Sequence, residues 1–313
     1  MRAAMCRILY GCLLSALTIA LPLRAEPVAF TTGLDTSSGV DTLYRVDLAT
    51  GQATRVGPIG YVDVEGLAFH PDGGLYGVAD GSADGGALTD LLIRISTTTG
   101  SGTLVAPLAG LANQGTGLGQ LDYGLATTCD GRMWLASDTL GTIWQLERDS
   151  GAVTPLVTGG PRLSGLASRN NELYGIAIEN DEGLYRIDLA NKTTQRIGSL
   201  GLSDKVYDAG LDFSSDGRLW ASLDYLTPPD GATLVLRNDT ALIDTTTGLV
   251  TARLAVRGVG EGLNTVQMEG MAISPPICVQ GTPPTAVPAL SWQSGLLMVL
   301  GLLAAVAWLS SRR

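Results

Sequence analysis

Short runs in which apolar and polar residues alternate fill the middle of the chain. In "LYRVDL", Tyr44, Val46 and Leu48 alternate with Leu43, Arg45 and Asp47. A period of two predicts strands, because successive side chains of a strand point to opposite faces. The runs also repeat. An apolar strand opening on a glycine occurs five times: "EGLAFHPDGGLYGVAD" from Glu65, "YGLATTCDGRMWLASD" from Tyr123, "SGLASRNNELYGIAIE" from Ser164, "AGLDFSSDGRLWASLD" from Ala209 and "EGMAIS" from Glu269. A second phrase alternates with it, as in "LYRVDLATGQATRVG" and "LYRIDLANKTTQRIG". The opening glycines, Gly66, Gly124, Gly165, Gly210 and Gly270, follow one another at spacings of 58, 41, 45 and 60 residues. Those spacings are the size of a propeller blade.

Each unit reads as four strands, such as "GLAF", "LYGV", "LYRVDL" and "ATRVG". The breaks carry hairpin chemistry, Asp72-Gly73, Asp130-Gly131 and Asp216-Gly217 among them. Four-stranded antiparallel units in tandem predict an all-β fold: a single β-propeller of five blades, or six if 81–90 or 228–240 supply further strands. The fifth glycine strand has no "LYGV" after it. Residues 27–35, "PVAFTTGLD", and the two strands that follow supply the missing three, so N-terminal strands are expected to pair with the C-terminal one and close the ring.

Composition sets the two ends apart from this middle. Residues 1–25 carry Arg2 and Arg7, a long apolar stretch and Leu23-Arg24-Ala25, which together predict a signal peptide. The propeller is expected over 26–274, and a Pro-rich linker over 275–288. Residues 289–313 are apolar, with Trp292 and Trp308 near their ends and Arg312-Arg313 last. They predict a C-terminal transmembrane helix, with the membrane as partner. The protein is therefore expected to be exported, on the periplasmic side first and then at the cell surface or outside.

Within that tail, "VPALSWQSG" resembles the C-terminal sorting signals of the IPTL-CTERM class: Val287, Pro288, Ala289, Leu290 and Ser291 follow the core, and Trp292 arrives one residue early. The resemblance implies an exosortase-type transpeptidase as a partner, and surface delivery. The strand at "AFHPDG" is similar in layout to WD-repeat propellers, although their Gly-His and Trp-Asp pairs are absent.

Formal net charge is −10, and Lys192 and Lys205 are the only lysines. An acidic chain with no basic stripe excludes nucleic acid as the expected partner. The acids have a pattern. Asp63 and Glu65, Asp122, Asp208 and Glu269 stand just before the recurring glycines, and only "RLSGLAS" lacks one. Rotation of the repeats about one axis would bring them together at one mouth of the central channel. Clustered carboxylates suit a hard divalent cation such as calcium, so Glu65, Asp122, Asp208 and Glu269 are the candidate metal ligands, with Asn264 and Thr265 able to add oxygens. "EGLA" at Glu65 and "EGMA" at Glu269 also resemble the inner-strand start of gluconolactonase-like (SMP-type) and esterase-like phytase propellers. That resemblance implies a metal acting as Lewis acid.

Other chemistries find little support. His70 is the one histidine and sits in a hairpin turn, far from triad logic. "GTGLGQ" is a lone Gly-rich loop. Cys129 and Cys278 both follow an inner strand and so share the face opposite the acids, and the sequence leaves their pairing open. Tyr76, Trp134, Tyr174 and Trp220 share one repeat position and are expected between blades. The functional expectation is a binding or scaffold module with a divalent cation at the channel mouth. The alternative is a metal-dependent hydrolase of lactones or phosphoesters.

Overall fold

A computed structural model describes residues 27–35, 40–84, 89–113, 122–227, 235–258 and 268–278. Each sequence unit folds into one antiparallel sheet. The first blade takes β4 (Tyr61–Phe69), β5 (Leu75–Ser82), β6 (Leu91–Ile95) and β7 (Gly102–Pro107), in that order from the axis outward. The second takes β8 (Tyr123–Thr127), β9 (Met133–Ser137), β10 (Ile143–Glu147) and β11 (Ala152–Val157). The third takes β12 (Leu163–Arg169), β13 (Glu172–Ala177), β14 (Gly183–Asp188) and β15 (Thr193–Gly198). The fourth takes β16 (Asp208–Phe213), β17 (Leu219–Thr227), β18 (Val235–Ile243) and β19 (Val250–Ala255).

The fifth blade joins the two ends of the chain. Its innermost strand is β21 (Met268–Ala272), followed outward by β1 (Val28–Asp35), β2 (Val40–Asp47) and β3 (Gln52–Pro58). A two-residue strand, β20 (Arg257–Gly258), adds to the outer edge in parallel with β3, which the repeat pattern did not predict. Closure is therefore as expected, and there are five blades. Of the segments that could have held a sixth, the described residues 81–82 end β5 and 235–240 belong to β18.

The alternation of each strand is spent between blades. Leu135 packs with Tyr76, Val78 and Leu92 of the first blade, while its neighbour Trp134 packs with Leu163, Leu173 and Tyr185 of the third. The other three interfaces are built in the same way, so five apolar clusters fill the five gaps. A strand buried on both faces needs apolar residues at nearly every position, as β8 and β9 have. Tyr76, Trp134, Tyr174 and Trp220 all lie buried in these gaps, as their shared position predicted.

At the end of the inner strands away from the acids, Cys129 and Cys278 form a disulfide across 149 residues of sequence. The bond ties the outgoing chain to blade two. Ile277 O also accepts Asn170 N at 2.9 Å, and Asn171 Oδ1 accepts Cys129 N at 2.8 Å.

The C-terminal expectation needs correction. Among the described residues no helix is long and apolar enough to cross a membrane. The only helical pieces there are two short 3-10 turns, Ala109–Asn113 and Glu179–Asp181, because the apolar residues are committed to strands. The transmembrane helix, the membrane as partner and the transpeptidase that would act beside it are withdrawn. The segments that suggested them, 279–313, lie outside the described residues, as do residues 1–26, Asn264 and Thr265.

Candidate functional site

The five recurring glycines form a collar around the axis. A β-carbon on Gly66 would sit 2.7 Å from Tyr123 O, one on Gly124 2.8 Å from Ser164 O, and one on Gly165 2.7 Å from Ala209 O. On Gly210 it would lie 2.4 Å from the Gly270 carbonyl carbon, and on Gly270 2.9 Å from Leu67 N, which returns the circle to the first blade. Backbone packs on backbone here, so only glycine fits. Side chains just before the collar are gathered at one mouth.

Two blades do something further. Gly66 and Gly270 have left-handed backbone (φ +40° and +50°), and strand pairing shifts register beside each of them. Such bulges re-aim the adjoining side chain. Glu65 and Glu269, immediately before their glycines, thereby converge with Asp122 and Asp208, which stand two residues before theirs. Asp63 is also left-handed (φ 53°), a conformation aspartate tolerates better than most residues. Carboxylate oxygens of Asp63, Glu65 and Glu269 lie within 4.8 Å of one another, with Asp63 exposed and both glutamates buried. The Asp122 carboxyl is within hydrogen-bonding reach of Glu65 and of Asp138. Asp208 lies on the far side and accepts Ser164 Oγ, the hydroxyl of the repeat that lacks an acid.

Electrostatics at the mouth are one-sided. Glu65 is pushed well above the usual carboxylate range by burial, then by Asp122 and Glu269. Glu269 is raised likewise by burial, then by Asp63 and Asp208. Burial and Asp63 raise Asp80 to about 8. Asp41, Asp138, Asp208 and Asp224 rise to about 7, burial again leading. Asp80 is 4% exposed, and its Oδ1 has no hydrogen-bond partner. Part of the cluster is structural: Glu65 Oε2 accepts Tyr123 N at 2.6 Å and Asp41 Oδ2 accepts Val64 N at 2.5 Å, each stitching one blade to the next. All-oxygen ligands, negative charge in excess and a compact triad are what a hard divalent cation requires. The four predicted residues thus surround one mouth, with Glu65 and Glu269 in the compact group and Asp122 and Asp208 beside it.

The repeat reading missed Asp80, Asp138 and Asp224. They had a signal: each ends the second-strand phrase, in "GVAD", "LASD" and "ASLD". Antiparallel pairing returns that end of the hairpin to the start of the inner strand, as Asp208 opposite Asp224 shows.

No protein-family model and no curated protein matches the chain. Solved structures with a similar backbone include TolB from Acinetobacter baumannii (12% identity, 80% of this chain and 67% of that one, TM-score 0.46). Others are the GH43 protein BlXynB from Bacillus licheniformis (13%, 78% and 55%, 0.48) and regucalcin, a calcium-binding protein from Agrobacterium tumefaciens (19%, 80% and 80%, 0.41). The matched region spans from about half to four fifths of those proteins' own length. These likenesses are weak, and no residue role or activity is carried over from them.

Proposed function

We propose that this protein is a binding module whose mouth holds a divalent cation, calcium by ligand chemistry, between Asp63, Glu65 and Glu269. Asp122 and Asp208 complete the negative field. The observation that carries the reading is the compact triad inside a cluster where Asp80 offers a buried, unpartnered oxygen. Like charges at this density favour a cation between them, because it offsets repulsion that burial makes strong. The chain is read as exported, from its N-terminal 25 residues and from a disulfide that persists in oxidising compartments.

The reading stops at binding. Hydrolysis of a lactone or phosphoester would add a base beside the cation, a role open to a raised carboxyl such as Asp80, and no observation favours that step over binding alone. Elemental analysis of protein purified without chelator tests the proposal: a stoichiometric divalent ion is expected. Glu65→Gln and Glu269→Gln should each weaken calcium binding at least about tenfold, a loss of roughly 1.4 kcal/mol. Unchanged binding in both variants would move the ion elsewhere.

A further inference from the structure

Beside the triad, between blades two, three and four, is a cavity of about 210 Å³ lined by Asp122, Asp138, Arg162, Ile178, Asp181 and Tyr207, among others. Drug-sized pockets hold about 300–1,000 Å³, so this one has room for a single small molecule. Three carboxyls and one guanidinium line it. The Asp122 and Asp138 carboxyls are in reach of one another, and no described lysine or arginine forms an ion pair with either. Across the lining, the Arg162 guanidinium makes no ion pair with any described residue, although three carboxylates share the cavity with it. Its backbone N–H donates to Asp181 Oδ2 at 3.0 Å, and Arg162 is exposed. An acidic lining that also holds a guanidinium without an ion pair among the described residues is complementary to a molecule carrying both charges.

The apolar part of the lining adds shape. Ile178 is buried, and Tyr207 is 42% exposed, one of only three large apolar side chains among the described residues that face solvent to this degree. Tyr207 is held by its N–H on Asp224 O at 2.8 Å. A ring anchored through its backbone and open to solvent over a small cavity offers a surface for an apolar group.

We infer that this cavity binds a free α-amino acid: its ammonium on Asp122 and Asp138, its carboxylate on Arg162, and an apolar side chain against Ile178 and Tyr207. The inference goes beyond the cation site and does not require it.

The test uses L-phenylalanine and L-leucine as probes, with phenethylamine and 3-phenylpropanoate as analogues that each lack one charge. Binding is measured by calorimetry and ligand-observed NMR on the full chain, treated with chelator and again with calcium. L-Phenylalanine should bind the chelator-treated protein at least about tenfold more tightly than either analogue, since each missing charge leaves its partner unpaired. Arg162→Ala should reduce it to the level of phenethylamine without changing calcium binding or the unfolding temperature, and Arg162→Lys should restore part of the loss. Asp138→Asn should reduce it to the level of 3-phenylpropanoate. The inference fails if neither amino acid binds at millimolar concentration, or if phenethylamine binds as well as phenylalanine. It also fails if phenylalanine binding requires calcium and survives Arg162→Ala, because the ion would then hold the carboxylate. A protein that binds phenylalanine but no calcium would overturn the cation proposal alone.

Discussion

The mouth and the hairpins at the opposite end use the same residue in opposite ways. At the mouth, aspartates such as Asp80 and Asp224 lie buried among other acids, and burial drives their carboxyls up to about 8 and 7. At the far end, burial pushes Asp216 the same way, but Arg218 and Ser214 hydrogen-bond its carboxylate and bring it down to about 2. Asp130 repeats this arrangement with Arg132 and Thr128. There the arginines also lie over Trp134 and Trp220, 5.3 Å from each ring. The far-end hairpins of blades two and four satisfy these charges locally, and Asp72 pairs with Arg148 of the next blade. Deeper at that end Asp212 is pushed up to about 7 by burial, although it accepts Ile273 N and Phe213 N. At the mouth Asp80 Oδ1 and both Asp224 carboxyl oxygens have no hydrogen-bond partner, and unsatisfied buried polar groups that a fold retains point to a ligand.

The largest expected effect comes from breaking the collar that separates the ends. Gly210→Val would drive side-chain carbons into Gly270 and Met271, whose backbone is already 2.4 Å from a β-carbon there. Urea denaturation should show a loss of about 4 kcal/mol or more. A collar that accepts valine without loss would mean the blades stand further apart than described.

Opening the far-end clasp comes next. Cys129→Ser frees a loop that the disulfide closes over 149 residues, and should lower stability by about 2–4 kcal/mol in non-reducing denaturation. Reductant should produce a similar loss in the parent protein and none in the variant.

Acidity should separate the mouth from the far-end hairpins by sign. A carboxyl raised in the fold keeps its proton where the unfolded chain, with ordinary values near 4, has lost it. Calcium-free protein should therefore lose stability as pH rises from about 4, the ordinary carboxylate value, to about 8, the Asp80 value. Calcium should restore stability at pH 8 by occupying the mouth. Asp224→Asn should raise stability at pH 8 by about 1–3 kcal/mol and leave it unchanged at pH 4. Thermal unfolding at the two pH values checks both statements, and a loss at pH 8 would show that Asp224 is paired there.

The smallest effect should be at the far end. Asp216→Asn removes a carboxylate held near 2. The variant should be less stable by about 1–2 kcal/mol at pH 7, with the difference vanishing toward pH 2 as the parent's own carboxylate takes its proton.

The repeat carried most of the fold in plain view. Glycine spacing, hairpin residues and the period of two were enough to derive five blades, their strand order and the N-to-C closure. They were enough because each is a local property repeated five times. The short strand β20 escaped, since two residues have no period. The mouth was legible in part. Glu65, Asp122, Asp208 and Glu269 were visible because they precede the glycines. Asp80, Asp138 and Asp224 mark the return of a hairpin and become neighbours of those acids only through pairing. Arg162 and Tyr207 belong to no repeat and had no signal.

The sequence by itself determined the sheets, their number and the mouth at which acids gather, because strand period, turn chemistry and repetition act over a few residues. The tertiary structure alone decided which acids meet. Left-handed backbone at Gly66 and Gly270 turns Glu65 and Glu269 toward Asp63, and closure of the ring brings residues from opposite ends of the chain into one electrostatic field. Proximity across a ring depends on how every blade packs on the next, and no short stretch of sequence contains that information.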